Sequence, residues 1–265
     1  MMNLNLLCKE TIDICKTTGQ FIREQLNQIK ESDIEQKGKH DFVSYVDKTA
    51  EVRIIKALYK IFPEAGFIAE EGTSTTRGKR YNWVIDPLDG TTNFLHGLPC
   101  FCISVALVDL DEPIIGVVYE INLDECFFAT KGGGAFLNGK PIQVSPQKSM
   151  EKALIATGFP YTDYSLLHKY LLIFEHLIRN TSGVRRLGSA AADLAYVACG
   201  RFEFFYEYSL KHWDVAAGIL LVTEAGGVVT DFSGGNKYLV GKEMLASNAN
   251  IYEEAAALMD KYFNN

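Results

Sequence analysis

Apolar residues along the first 60 positions repeat at helical intervals. Leu7, Ile14, Ile22, Leu26 and Ile29 fall on one face and predict a long helix over residues 4–29. The polar stretch ESDIEQKGKHD then predicts a loop. DFVSYVDKTAEVRIIKALYKIFP resumes the helical period at positions 54, 58 and 61 and stops at Pro63, with Asp47 near the start of that helix. The period then changes. FIAEEG predicts a short strand running into a loop, and YNWVIDPLDG a strand ending at two acids. FCISVALVDL, IIGVVYEI and ECFFAT predict three strands joined by tight turns, an antiparallel meander. KGGGAFLNGKPI is a glycine-rich turn with a further hairpin. It lacks the GxxxxGK[ST] spacing and no helix follows it, so it reads as a structural turn rather than a phosphate loop.

The second half alternates. ALIATGF is strand-like, YSLLHKYLLIFEHLIRN helical, and SAAADLAYVACG a helix of small residues. RFEFFYEY is a strand, and WDVAAGILLVTEAGG a buried helix with a glycine stop. GVVTDF and MLASN are short strands before a terminal helix, IYEEAAALMDKYF. No Pro-, Ser- or Gly-rich linker divides the chain and no repeat recurs. The prediction is a mixed α/β fold of helices covering sheets, with the meander in the first lobe and a mixed sheet in the second. It is read as a single domain over 1–265, with a soft lobe boundary near residue 148.

Composition narrows the function. The chain has 265 residues, 48% of them hydrophobic, enough for a sizeable core without staples. It carries 26 basic and 33 acidic residues, a net charge of −7, so general binding to a phosphodiester backbone is not expected. The six cysteines form no CxxC pair and the five histidines are scattered, which argues for buried thiols in a reducing compartment rather than a zinc site. The amino terminus carries acids and amides where a signal peptide would be apolar. No run approaches 18 apolar residues. A soluble cytoplasmic protein without membrane attachment is the expectation.

The acids fall at the ends of predicted elements. Asp86 and Asp89 follow one strand, and Glu70 and Glu71 another. Asp47 and Asp214 open helices. Element ends meet in clefts, whereas acids in mid-helix usually face water. Taken singly, Asp47 and Asp214 read as helix caps, Glu70 and Glu71 as a solvated loop, and DPLD as a turn. Taken together, four clustered carboxylates with no basic neighbours would repel one another unless a cation neutralised them. Oxygen ligands from several segments form the hard site that Mg²⁺ favours. Pro87 limits the backbone, Gly90 permits a tight turn, and the Leu88 carbonyl can point the same way as the two carboxylates. The spacing DPLDGT does not match the DxDGT of haloacid-dehalogenase-like phosphatases, so a covalent aspartyl intermediate is not supported.

DPLDGTTNF, with AEEG before it and KHWDVAAGILLVTEAGG after it, closely resembles the inositol monophosphatase family. DFVSYVD, ATKGGGAFLNGKPI, TGFPY and GSAAADLAY follow in family order along nearly the whole chain. The resemblance implies a layered α-β-α-β-α sandwich, typically dimeric, and lithium-sensitive, Mg²⁺-dependent hydrolysis of a small phosphorylated polyol with two or three ions per site. Residues 1–148 would form a metal-binding lobe and 149–265 a substrate lobe. By motif position, Glu70, Asp86, the Leu88 carbonyl, Asp89 and Asp214 would be metal ligands. Thr91, paired with Asp47, would help activate water, with Glu70 beside them. Substrate would lie against Leu88, Asp89, Gly90, Thr91, Gly188, Ser189, Ala190, Glu207 and Asp214. Lys37 matches the family's mobile-loop lysine only approximately. Arg186 is a weaker substrate candidate, with a surface salt bridge as its alternative. Fructose 1,6-bisphosphate, NADP and 3′-phosphoadenosine phosphates remain alternative substrates, and a non-catalytic binding or regulatory role on the same fold remains a different class.

Overall fold

The computed structural model describes residues 3–26, 28–29, 34–38, 41–74, 76–161, 163–239 and 243–264. The side chains of 34, 36–38, 41–42 and 264 lie outside that description. Helix α1 (Leu4–Gln25) is capped by Asn3, whose Oδ1 accepts from the Leu6 amide at 3.1 Å. It ends four residues before the predicted boundary. Leu26 turns extended, and Leu26 and Ile29 reach the core edge from outside the helix. The predicted polar loop contains a strand, β1 (Ile34–Gly38), which pairs antiparallel with β2 (Asp41–Ser44). β2 had been expected only as a lead-in to the next helix. That helix, α2 (Tyr45–Ile61), starts at a Ser44 cap and stops just before Pro63.

A seven-stranded sheet follows in sequence order: β3 (Gly66–Ala69), β4 (Tyr81–Asp89), β5 (Cys102–Asp109), β6 (Glu112–Glu120), β7 (Glu125–Thr130), β8 (Gly134–Leu137) and β9 (Lys140–Ile142). β3 runs parallel to β4 and the remaining pairs are antiparallel. A one-turn helix, α3 (Thr91–Leu95), lies between β4 and β5. The second sheet takes β10 (Leu154–Thr157), β11 (Gly183–Arg185), β12 (Phe204–Tyr208), β13 (Gly227–Thr230) and β14 (Glu243–Asn248) in the order β11-β10-β12-β14-β13. It is mixed. β10 is parallel to β11 and β12, and β14 is antiparallel to its two neighbours. Its helices are α4 (Leu167–Asn180), α5 (Ala190–Ala198), α6 (His212–Glu224) and α7 (Tyr252–Met259). Strand β11 is the one element of this half that the apolar pattern did not foretell.

The layers follow from which faces are apolar. β5 is buried on both sides, so it reads as a continuous hydrophobic run. Ile103, Val105 and Leu107 belong to a core shared with α1 and α2. Cys102, Ala106 and Val108 belong to a second core built with α5 and α6, which therefore lie between the sheets. A third core packs the far side of the second sheet against α4 and α7. The result is an α-β-α-β-α sandwich.

The middle layer carries small residues because backbones approach closely there. A Cβ on Gly116 of β6 would sit 2.7 Å from the Ala217 carbonyl oxygen and 3.1 Å from its Cα, and one on Gly218 would meet Leu194 at 2.5 Å. Gly116→Ala must therefore push α6 off the sheet. The expected cost is about 1–3 kcal/mol, roughly 2–4 °C of Tm per kcal/mol at this chain length, read by thermal melting. An unchanged Tm would contradict the close approach of β6 and α6.

Candidate active site

The two acids of DPLDGTT face the same way because β4 carries a bulge. In a regular strand, residues three apart point to opposite faces. Here Asp86 pairs with Ser104 and Asp89 with Cys102, so three steps on β4 oppose two on β5. Pro87 falls inside the bulge, where its missing N–H costs no ladder bond. Both carboxylates thus turn toward the middle layer, where α5 and α6 begin. Gly90 follows with φ +96°, a left-handed conformation, and a Cβ there would come within 2.9 Å of the Cys100 carbonyl oxygen.

Helix starts complete the ring. Asp214 is the third residue of α6, and its Oδ2 accepts from the Lys211 amide at 2.7 Å. Ser189 caps α5 and donates its hydroxyl to Asp89 Oδ2 at 2.7 Å, and the Ala191 amide donates to the same oxygen at 2.7 Å. Asp86 Oδ1 accepts from the Leu88 amide at 2.9 Å. Each acid is steadied through one oxygen, and these bonds leave the second oxygen for another partner. Glu70, Asp86, Leu88, Asp89, Gly90, Thr91, Arg186, Gly188, Ser189, Ala190, Glu207 and Asp214 all line one cavity of about 330 Å³. Lys37 lies on β1, and its side chain falls outside the described residues.

Asp47 stands behind the cavity wall. Its Oδ2 accepts from the Ser44 amide at 2.9 Å and the Ser44 hydroxyl at 2.7 Å. Its Oδ1 lies 2.9 Å from the Thr91 hydroxyl. The helix-cap reading and the Thr91 pairing are therefore both true of this residue, one on each oxygen. Thr91 Oγ also lies 2.9 Å from the Leu88 carbonyl oxygen, and its single proton can serve only one of these acceptors at a time.

Electrostatics mark the cavity as a place for positive charge. Burial, then Glu70, Asp89 and Asp214, push the Asp86 carboxyl well above its ordinary range. Burial and Asp89 do the same to Asp214. Asp89 rises to about 6 through burial, against the pull of Ser189, Ala191 and Arg186. Oxygen donors of this kind from four segments, with the Leu88 carbonyl among them, suit a hard divalent cation. Among the described residues no three His, Cys, Asp or Glu side chains are gathered into a ready cage. The acids stand around the cavity, as mutual repulsion dictates.

Three expectations change. Basic neighbours are present, since Arg186 and Lys211 line the same cavity. Arg186 is held between the rings of Phe159 and Tyr161, its Cζ 5.3 Å from each centroid, and no ion pair to it occurs among the described residues. The rule that mid-helix acids face water fails at Glu51. It is fully buried on α2, one turn beyond Asp47, and accepts from the amides of Glu71 and Thr73 and from the Thr73 hydroxyl at 2.7–2.8 Å. It thereby fixes the loop that carries Glu70. Sequence reasoning also passed over Asn93, whose amide donates to the carbonyls of Cys100 and Leu187 at 2.8 and 2.7 Å and ties the DPLDGTT turn to the second half of the chain. For Glu51 the i, i+4 spacing from Asp47 was an available signal; for Asn93 there was none. Five cysteines are buried and Cys199 is half-buried, all as thiols. No helix among the described residues is long and apolar enough to cross a membrane.

Glu207 faces the cavity from β12, tight against Gly158, where a Cβ would meet its carboxylate at 2.0–2.1 Å. Burial raises it from 4.5 to about 8, with Arg186 opposing the shift and Asp89 adding to it. The folded protein therefore keeps a proton that the unfolded chain releases. Glu207 contributes its full stability below about pH 4.5 and loses it as pH rises through about 8. Glu207→Gln fixes the neutral form. Its Tm should match the parent near pH 4.5, pull ahead as pH rises, and level off above pH 8 at an advantage of roughly a few kcal/mol. Melting curves in Mg²⁺-free buffer across this range decide it, and a constant offset would contradict the burial argument.

Similarity to known proteins agrees with this geometry. The sequence model of the inositol monophosphatase family matches residues 4–263. The chain is 42% identical over 243 residues to the Nus factor SuhB of Pseudomonas aeruginosa, with 90% of each protein covered. It is 40% identical over 249 residues to the fructose-1,6-bisphosphatase/inositol-1-monophosphatase of Aquifex aeolicus, covering 92% of this chain and 91% of that protein. Its fold superposes on the crystal structure of the extragenic suppressor protein suhB of Bartonella henselae with a TM-score of 0.90, at 38% identity and with 96% and 98% of the two chains covered. A match along almost the entire length, carried by the same segments that build the cavity, shows that this chain belongs to the inositol monophosphatase family.

Proposed function

We propose that this chain is a Mg²⁺-dependent phosphomonoesterase that hydrolyses a myo-inositol monophosphate to inositol and phosphate by direct attack of water. The observation that carries the reading is the bulged DPLDGTT turn, which aims the buried Asp86 and the half-buried Asp89 at a cavity and sets Thr91 beside them. Glu70, Asp86, the Leu88 carbonyl, Asp89 and Asp214 would hold Mg²⁺. The bound cation would offset the charge of the phosphate dianion and lower the pKa of water.

The chain's own groups supply positioning. When the Thr91 hydroxyl donates to Asp47 Oδ1, its oxygen lone pairs are left to accept a hydrogen bond from a water at the cavity wall and so orient it. Asp47 is held rigidly by Ser44 and α2, so the direction of that hydroxyl is set by the fold. Ser189 spends its hydroxyl on Asp89 and so serves to orient that acid, while Gly188 and Ala190 border the space beside it. Glu207 borders the same cavity from β12, suited to accept substrate hydroxyls. A second reading rests on Arg186. A guanidinium clamped at the rim between two aromatic rings would suit a second phosphate, as in fructose 1,6-bisphosphate.

Phosphate release from a panel of inositol, sugar and nucleotide phosphates separates these readings. Turnover should vanish in EDTA and return with Mg²⁺, and full turnover in chelator would sink the proposal. No release from any ester would instead favour a non-catalytic role. A second experiment divides the turn's residues by role. Asp89→Asn should weaken Mg²⁺ binding and abolish activity together. Thr91→Ala should bind Mg²⁺ normally by calorimetry and melt normally while kcat falls ~10²–10³-fold, about 3–4 kcal/mol. Parent-like turnover by Thr91→Ala would show that it does not orient the water.

A further inference from the structure

We infer that Asp193 reads a hydroxyl of the substrate's alcohol portion, as a second acidic specificity residue beside Glu207. The inference rests on the polyol reading above and extends it to a residue that no motif comparison had marked.

Asp193 sits in the first turn of α5 and is 1% exposed, yet it borders the cavity. Its Oδ1 is buried and has no hydrogen-bond partner among the described residues. Three aspartates that border the same cavity contrast with it: Asp86, Asp89 and Asp214 each accept at least one named donor. The dipole at the start of α5 favours an acid in its first turn, but it gives Oδ1 no hydrogen bond, and Ala190, Ala191, Ala192, Leu194 and Ala195 around it are buried and apolar. A buried carboxyl without a donor is unfavourable, and an alanine would fill the helix position without that penalty. Such an atom beside a cavity is a site waiting for a donor.

The surroundings say which donor. Burial first, then the acidic neighbours Glu207 and Asp89, disfavour the charged form of Asp193, and Arg186 is the basic group that offsets them. An anionic ligand group placed here would meet two acids. A cation is already supplied by Arg186. A neutral hydroxyl can donate to Asp193 while its oxygen accepts from another group, and adjacent hydroxyls on a polyol can address Asp193 from α5 and Glu207 from β12 together. A site that hydrogen-bonds a substrate hydroxyl also rejects esters that lack it.

The test compares myo-inositol 1-phosphate with p-nitrophenyl phosphate, which has no alcohol hydroxyls, using Asp193→Ala and the isosteric Asp193→Asn. KM for the inositol ester should rise about tenfold or more in the alanine variant and less in the asparagine variant, which keeps one acceptor. kcat/KM for the aryl ester should stay at the parent value, and Tm should hold or rise. Equal losses on both esters, or a lower Tm in both variants, would show a structural role and overturn the inference. An unchanged KM for the inositol ester in variants of an active parent would overturn it alone. A parent that cleaves the aryl ester but no polyol phosphate would overturn the polyol reading, and this inference with it.

Discussion

Everything around this site depends on seating several acidic side chains around one cavity in a place water reaches poorly. Asp86 is 2% exposed, and its neighbours Glu70, Asp89 and Asp214 all disfavour its ionised form. A folded chain does not gather such groups for its own stability. The geometry persists because the surrounding structure over-determines it. The bulge in β4 fixes two acids, the start of α6 fixes a third, and Glu51 pins the loop that carries the fourth. The cost is electrostatic rather than steric, and under the proposed function a bound cation would offset it. Metal binding would then add to local stability.

The rest of the sandwich can be understood as the frame for that cluster. Acids on a sheet and acids on helix starts can converge only if the middle helices lie close to the first sheet. Gly116 against Ala217 provides that approach, and Gly218 against Leu194 lets α5 and α6 pack closely within the same layer. Asn93 then ties the turn to residue 187 from the far half of the chain. The soft boundary expected near residue 148 falls between β9 and β10, but the cavity takes residues from both sides of it. The cavity sits across the seam, so under the proposed function packing between the halves would matter for catalysis as well as for structure.

Most of the elements were legible in the sequence because they obey a single period. α2, β5, β6, β7 and α6 are long or strongly patterned, and their burial matches the pattern. What was not legible shares a physical cause. β1, β2 and β11 are short, and the first two are rich in polar residues, so pairing rather than hydrophobic alternation defines them. The end of α1 was misplaced because Leu26 and Ile29 keep the helical spacing while packing from an extended backbone. At the site, the acids stood out by their positions at element ends. Glu51 and Asn93 did not, because they act by holding backbone groups far away in sequence, and a single residue carries no sign of a distant carbonyl or amide. The aromatic contacts of Arg186 were not legible for a similar reason, since they come from residues 159 and 161, and they stand where a surface salt bridge was the alternative.

The ambiguity over caps turns out to be informative. Asp47, Ser189 and Asp214 all occupy helix starts where Ser, Thr and Asp are favoured on local grounds alone. In each case the local bond leaves part of the side chain's capacity for the site. Asp47 caps with Oδ2 and faces Thr91 with Oδ1. Ser189 accepts the Ala192 amide at 3.3 Å and donates to Asp89. Asp214 accepts from Lys211 through one oxygen and turns toward the cavity. A cap fixes a side chain's rotamer against a rigid helix, which would suit a group that holds a metal or orients a water. Capping and the proposed chemistry are therefore not competing explanations here. Asp193 differs from this set: it stands in the first turn of α5 without a cap bond, and its buried Oδ1 has no hydrogen-bond partner among the described residues.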